Sequence, residues 1–439
     1  MRTSFKAVAL VGIFAALAFA AAGCGGGGKK SSGTTTGTAG TGNVTALPAS
    51  SCQSIYYQGS SQPDVIVASD LPLQGAGRAQ TTEMVEAIKF ALKQRNFTAG
   101  GKQIGYQSCD DSTAQAGAWD SAKCASNARA YAGNSSVIGV IGTFNSGCAK
   151  IEVPVLNRAN PGPMAMVSPA NTSPGLTTTG PGAEPGEPDK YYPTGKRNYA
   201  RVVANDQIQG PADAQFAKDL GLKSIFVLND KQTYGFGVAT TFKGAAPKLG
   251  LKVAGFQGWD AKQSSYEALS NTIKQSGADG VFLGGIICNN GAKLIKDLKA
   301  GVPNATLIAP DGFSDPKSNT AAFDSSYVSV AGQPPTGLKG EGAKFVKDFG
   351  AQIGATPNPY SQYGAQAMTV MLDAIDKSDG TRASVTSHLF GLKVTNGIIG
   401  TFTINQKGDT SLNPITIYQQ NAGKLNPQKT IVPAKSLTS

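Results

Sequence analysis

The sequence predicts an α/β protein of two lobes, each a parallel sheet covered by helices, with a ligand cleft between them. Three observations predict it. Short apolar runs alternate with helical periods from Pro63 onward, which is the pattern of strands linked by crossover helices. The runs themselves, such as Val137-Ile138-Gly139-Val140-Ile141, are apolar throughout, as expected of strands buried on both faces. The alternation then restarts after a Pro-, Gly- and Thr-rich break, and 439 residues that are 40% hydrophobic and 15% charged suffice for two separate cores.

The chain opens with a segment of a different kind. Arg2 and Lys6 precede an apolar run from Ala7 to Ala22, and Ala21-Ala22-Gly23-Cys24 supplies small residues before a cysteine. This predicts a lipoprotein signal over residues 1–23, with Cys24 as the lipidated first residue of the mature chain and the cell envelope as its location, on the outer face of the cytoplasmic membrane or in the periplasm. Gly, Lys, Ser and Thr dominate the stretch after Cys24, so residues 24–61 are expected to form a flexible tether.

The first lobe is expected over 62–203 with 330–397. Val65 to Ala68 reads as its first strand, and Met84, Ile88, Ala91 and Leu92 recur at helical spacing up to Gln94. Ile104 to Ser108 is the second strand, Gly117 to Tyr131 the second helix, Val137 to Ile141 the third strand and Pro163 to Val167 the fourth. Thr177 to Lys196 reads as a surface excursion. The second lobe is expected over 204–329 with 398–439. Its strands are Ser224 to Leu228, Leu251 to Phe256, Gly280 to Leu283 and Ala305 to Ile308, with helices at Gly210 to Leu220, Gly235 to Leu249, Tyr266 to Ser276 and Gly291 to Ala300. Two further helices, Gly340 to Gly354 and Ser361 to Lys377, and strands at Thr401 to Ile404 and Ile415 to Gln419 complete the chain.

Charge and cysteines bound the chemistry. Of 39 Lys and Arg, Arg2 and Lys6 belong to the signal, which leaves 37 against 28 acidic residues, a net charge of +9. No basic run exceeds two residues, so no nucleic-acid partner is expected. Outside the cytoplasm, Cys52, Cys109, Cys124 and Cys148 are expected in disulfides, three pairings being open, with Cys288 left over. No metal or cofactor is expected, since the cysteine spacings are irregular and His388 is the only histidine. An enzyme is not expected either: a lipoprotein hydrolase would need His388 in a triad, and there is no Gly-x-Ser-x-Gly elbow.

In open parallel sheets, ligands bind beyond the carboxyl ends of the strands, so the loops after each strand are the candidates. Gly142 to Cys148 offers amides and the Ser146 hydroxyl at a helix start, the alternative being that Ser146 simply caps its own helix. Ser168-Pro169-Ala170-Asn171-Thr172-Ser173-Pro174 offers the Ala170 carbonyl and the Thr172 hydroxyl. Asn229 to Gly235 places Tyr234 at a helix start, and Pro310-Asp311-Gly312 offers a carboxylate, or only a turn.

Asp-Lys-Gln-Thr-Tyr-Gly at 230–235, Ser-Pro-Ala-Asn-Thr at 168–172, the strand and loop from Val137 to Ser146 and Pro-Asp-Gly at 310–312 together resemble the leucine/isoleucine/valine-binding proteins of branched-chain amino-acid ABC importers. The resemblance runs from about Pro63 to about Gln420 and implies the type I periplasmic-binding fold, two Rossmann-like lobes with parallel sheets joined by a multi-strand hinge and closing on a ligand. It implies that Ser146 and Thr172 hold a ligand carboxylate, that the Ala170 carbonyl and Asp311 hold its amine, and that Tyr234 closes over it. Gln80 falls near a side-chain-packing position of the family, and the chain departs from the family near Ile286, where an aromatic is usual, and at Asp311, where a glutamate is. The family's bridge implies Cys109–Cys148 first and Cys52–Cys124 second. The function implied is capture of an amino acid by hinge closure and its delivery to a permease by a lipid-anchored monomer. The alternative carried by the same fold is a ligand-sensing receptor subunit.

Overall fold

The computed structural model describes residues 44–315 and 321–438, so the expected signal, the expected lipidation site Cys24 and the first part of the expected tether lie outside the described residues. The described residues build two large sheets and two small hairpins. The first is made of β1 (Val65–Leu71), β2 (Thr98–Ala99), β3 (Lys102–Asp110), β6 (Val137–Gly142), β7 (Ala165–Ser168) and β8 (Tyr199–Arg201), in the order β2-β3-β1-β6-β7-β8. All its neighbours are parallel except β2 on β3. Two very short strands, β4 (Ser112–Thr113) and β5 (Ala118–Trp119), pair in a separate hairpin. Thus Ala118 and Trp119 are strand where the sequence suggested a helix from Gly117; the helix α2 (Ser121–Gly133) starts four residues later, capped by the Asp120 side chain on the Lys123 amide.

Alternation along the strands sends side chains to two different helix layers. Val67, Ile141 and Val167 pack with Met84, Ile88 and Met371 of α1 (Arg78–Gln94) and α9 (Ser361–Asp376), joined by α10 (Arg382–Leu389). Their neighbours Ala68, Val140 and Met166 pack instead with Tyr131, Val153 and Leu156 of α2 and α3 (Ser146–Asn157). The excursion at 177–196 is not loose: Tyr192 donates to the Leu176 carbonyl at 2.6 Å, and buried Glu187 accepts from Tyr191 and pairs with Lys150 of α3 at 2.7 Å.

The second sheet repeats the plan with β9 (Ser224–Asn229), β10 (Lys252–Gly258), β11 (Gly280–Gly284), β12 (Thr306–Ala309) and β13 (Tyr327–Val330), to which β16 (Ile415–Asn421) and β17 (Lys424–Ile431) are added antiparallel. Its order is β10-β9-β11-β12-β13-β16-β17. Ile225 and Val227 face α4 (Asp206–Asp219) and α5 (Thr233–Ala245), whereas Phe226 and Leu228 face α6 (Glu267–Ser276) and α7 (Gly291–Gly301). On the first of these faces Phe242 stacks on Phe282 with centroids 4.2 Å apart.

Among the described residues three segments cross between the two large sheets: β8 to α4, β13 to α8 (Glu341–Ile353), and Ile404 to β16. The last crossing lies later than the expected boundary at residue 398. The hairpin of β14 (Lys393–Gly397) and β15 (Gly400–Thr403), the Ile404–Thr410 bridge and the bond from the Arg201 amide to the Gly408 carbonyl keep the chain with the first lobe until about Ile415.

Residues 47–56 are not a free tether but are laid on β3. Leu47 exchanges hydrogen bonds with the Gln107 side chain, and Cys52 and Tyr56 bridge antiparallel to Cys109 and Tyr106. That placement corrects the disulfides: the bonds are Cys52–Cys109 and Cys124–Cys148, not Cys109–Cys148 and Cys52–Cys124. Cys109 faces the strap on its strand's outer edge, and Cys124 of α2 faces Cys148 of α3, one layer away. Among the described residues Cys288 is the free cysteine, and no helix is long and apolar enough to cross a membrane.

Candidate ligand cleft between the lobes

Helices α3 and α5 and the loops after β6, β7, β9, β11 and β12 bring most of the expected residues to the gap between the sheets. Asn145 is the N-cap of α3 and makes no side-chain cap, so Ser146 stands inside the first turn. Its hydroxyl does not cap its own helix; it accepts the Ser173 amide at 3.3 Å and so ties the loop after β6 to the loop after β7. Ser168 stiffens the second loop by accepting the amides of Ala170 (3.1 Å) and Asn171 (2.8 Å), and Asn171 reaches back to the Phe144 carbonyl at 3.0 Å. Beneath it the fully buried Arg201 donates to the carbonyls of Asn171 (3.0 Å) and Ser173 (2.9 Å) and pairs with Asp409 at 2.7 Å. Ala170 and Thr172 are thereby held in a loop with little freedom, and the Thr172 carbonyl accepts the Asp206 amide at 2.8 Å at the start of the first crossing.

The second lobe supplies Tyr234, whose hydroxyl donates to Asp311 Oδ1. Asp311 is 7% exposed, and Tyr360, from the first lobe at the N-cap of α9, donates to its other oxygen at 2.5 Å. One carboxylate is thus held by phenols from both lobes. Burial raises Asp311, and the two phenols act against that rise. Asp206 is fully buried and held well above the ordinary carboxylate range by burial, with the Thr172 hydroxyl opposing and the Asp311 charge adding to it. Two acidic groups therefore lie near one another at the inner end of the cleft.

Asp230 organises the outer end. It is 4% exposed, and its oxygens accept the amides of Gln232 (3.0 Å) and Ile286 (3.1 Å) and the Asn289 side chain (2.7 Å). Burial pushes it up to about 6. Ile286 is fixed by that bond, and it and Gln80 line the gap from opposite lobes. Gln80 Nε2 donates to Ser314 Oγ at 3.1 Å, a direct bond from α1 across to the second lobe. The gap narrows to a cavity of about 30 Å³. That is room for a water or two, so a larger solute enters only when the lobes part.

Ser146, Ala170, Thr172, Tyr234, Asp311, Gln80 and Ile286 thus all sit in loops or helix starts that follow strands. Gln80 and Ile286 touch the cavity itself, while Ser146 and Asp311 adjoin it through Asn145 and Gly312. Sequence reading missed Tyr360, Asp206 and Trp119. Asn205-Asp206 carried only a helix-start signal, Tyr360 an aromatic before a helix, and Trp119 a place in an expected helix. His388 is on α10, where its Nδ1 meets the Ser384 carbonyl of its own helix at 2.8 Å. Carboxylates come within ligand distance of Cys148 in two groups, Asp70 with Glu152 and Asp111 with Cys124, but the sulfurs of Cys124 and Cys148 are bonded to each other.

Comparison with known proteins decides the family: the periplasmic binding protein pattern matches residues 67–424. The chain belongs to the periplasmic binding protein family. It is a solute-binding protein and not an enzyme, in keeping with a cleft built of loop amides, hydroxyls and carboxylates. Among its relatives is the leucine-, isoleucine-, valine-, threonine- and alanine-binding protein of Pseudomonas aeruginosa, 26% identical over 58% of this chain and 64% of its own length. A Leu/Ile/Val-binding protein homologue of Brucella abortus is 24% identical over 85% of this chain and 95% of its own. A leucine-binding protein from Thermotoga maritima has the same fold, with a TM-score of 0.73 at 22% identity, over 84% of this chain and 99% of that one.

Proposed function

We propose that this binding protein is an extracytoplasmic lipoprotein, anchored through Cys24, that captures an amino acid with a branched or similar aliphatic side chain and passes it to the permease of an ABC importer. The observation that carries the reading is Asp311, a buried carboxylate bonded by Tyr234 of one lobe and Tyr360 of the other. An ammonium group entering there meets a preset negative partner, and burial makes the charge-assisted bond strong. Ser146, Thr172 and the amides at the start of α3 form the complementary end for a carboxylate, and the Ala170 carbonyl adds a second amine acceptor. Tyr234 then folds over the ligand, and Gln80 and Ile286 touch its side chain. Affinity for the closed form draws the two lobes together, because the ligand bonds to both of them only there.

Calorimetry on the purified protein with leucine, isoleucine and valine tests this. At least one of the three is expected to bind, and Asp311→Ala is expected to weaken it by about tenfold or more, the loss of one charge-assisted bond in a dry site. Undiminished binding by Asp311→Ala removes Asp311 from its role; absence of heat from every amino acid removes the function.

A further inference from the structure

Between β3 and α2 the chain makes the β4–β5 hairpin, which is fastened to the loop after β1. Asp110 Oδ1 accepts the amides of Leu73 and Ser112, both at 2.9 Å. The Gln74 amide donates to Ser112 Oγ at 2.9 Å, and its side chain reaches Asp110 Oδ2 at 2.7 Å. At the tip, Gly75 (φ +79°) comes so close that a Cβ on it would lie 1.7 Å from the Gly117 carbonyl oxygen, so only glycine fits there. The hairpin is consequently a rigid lip rather than a loose loop. Its last residue, Trp119, lays its indole on Gly147 in the first turn of α3, where an added Cβ would stand 2.5 Å from Cζ2. The half-buried ring ends in the cavity wall beside Phe144, opposite Ile286 and Ile287 of the other lobe.

We propose that Trp119 is a specificity-determining residue: with Phe144 on its own lobe and Ile286 and Ile287 on the other, its indole forms a slot for the apolar side chain of the ligand. The inference rests on the amino-acid reading above and adds to it which wall chooses the side chain. Four apolar side chains from two lobes meet only in the closed form, so an aliphatic group shed from water there favours closure directly. A polar side chain would lose its water against these four, and of the polar residues at the cavity's edge, Gln74, Gln80, Asn145 and Asp315, the two glutamine amides are already engaged with the hairpin and with Ser314. The slot therefore rejects polar side chains strongly and separates aliphatic ones by size only modestly.

Calorimetry on the full chain, wild type against Trp119→Ala and Trp119→Phe, with leucine, isoleucine, valine, alanine and serine, tests the slot. Trp119→Ala is expected to weaken the best aliphatic ligand by about tenfold or more while alanine changes by less than about threefold, and Trp119→Phe to retain most of the affinity. The chain has two tryptophans, and Trp259 is 2% exposed. A ligand-induced emission change is accordingly expected to persist in Trp259→Phe and to be largely lost in Trp119→Phe, while the leucine-to-alanine affinity ratio falls only in the Trp119 variants. Equal losses for alanine and leucine, or an unchanged order of ligands in Trp119→Ala, overturn the inference while the amino-acid reading stands. A wild-type chain that binds no amino acid overturns both.

Discussion

Asp230 shows how one side chain can fix a whole rim of the cleft. It gathers Gln232, Ile286 and Asn289, so the loops after β9 and β11 move together. Burial raises it to about 6, against about 3.9 in an unfolded chain. The protonated form is therefore favoured by the folded state, and the contribution to stability is greatest below about pH 4 and is lost as pH rises through about 6. Asp70, raised likewise to about 6 by burial, adds to the same window. The urea midpoint is expected to fall between pH 4 and pH 7, and Asp230→Asn to flatten that fall by up to about 3 kcal/mol of stability. An unchanged slope in the variant would show that Asp230 titrates normally. Residues of this kind were only partly legible. Asp311 and Tyr234 stand in loops after apolar strands, where chain position alone points to a ligand site, whereas Tyr360 lies 49 residues beyond Asp311 and no local pattern joins them.

Among the elements, the long apolar runs declared themselves because strands buried on both faces carry no polar alternation to confuse them. The two-residue strands β2, β4 and β5 did not, since too few residues are present to show a period. Strand β8 was missed because it ends in Arg201, a charge buried for the sake of the loop it clamps. The disulfides were misassigned for a similar reason: nothing local marks residues 47–56 as a strap on β3, yet that strap is what sets Cys52 opposite Cys109. The pairing spans 57 residues, so a Cys52→Ser, Cys109→Ser double variant is expected to lose about 4 kcal/mol by the loop-entropy estimate. Limited proteolysis should then cut near residues 47–56 first. A variant as stable and as resistant as the parent would mean that the strap holds without its bond.

The molecule as a whole is two similar sheets connected by three crossings, and the direct Gln80–Ser314 and Tyr360–Asp311 bonds close the gap between them. Three parallel connections restrict relative motion largely to a hinge, and loss of a few cross-lobe bonds is enough to release it. Small-angle scattering is expected to show the radius of gyration falling when a bound amino acid is added. A radius that never changes, in the presence of calorimetric binding, would place capture in a rigid cleft.

The strap on β3 also decides how mechanical load travels. A pull on the chain upstream of Leu47 meets first the bonds of Thr45 to Ser136 and of Leu47 to Gln107 and then the Cys52–Cys109 bond, all of them on the first lobe, whose β3 pairs with β1 along a parallel ladder. No part of that path enters the second sheet. A leash attached at this end would therefore steady one jaw and leave the other to swing.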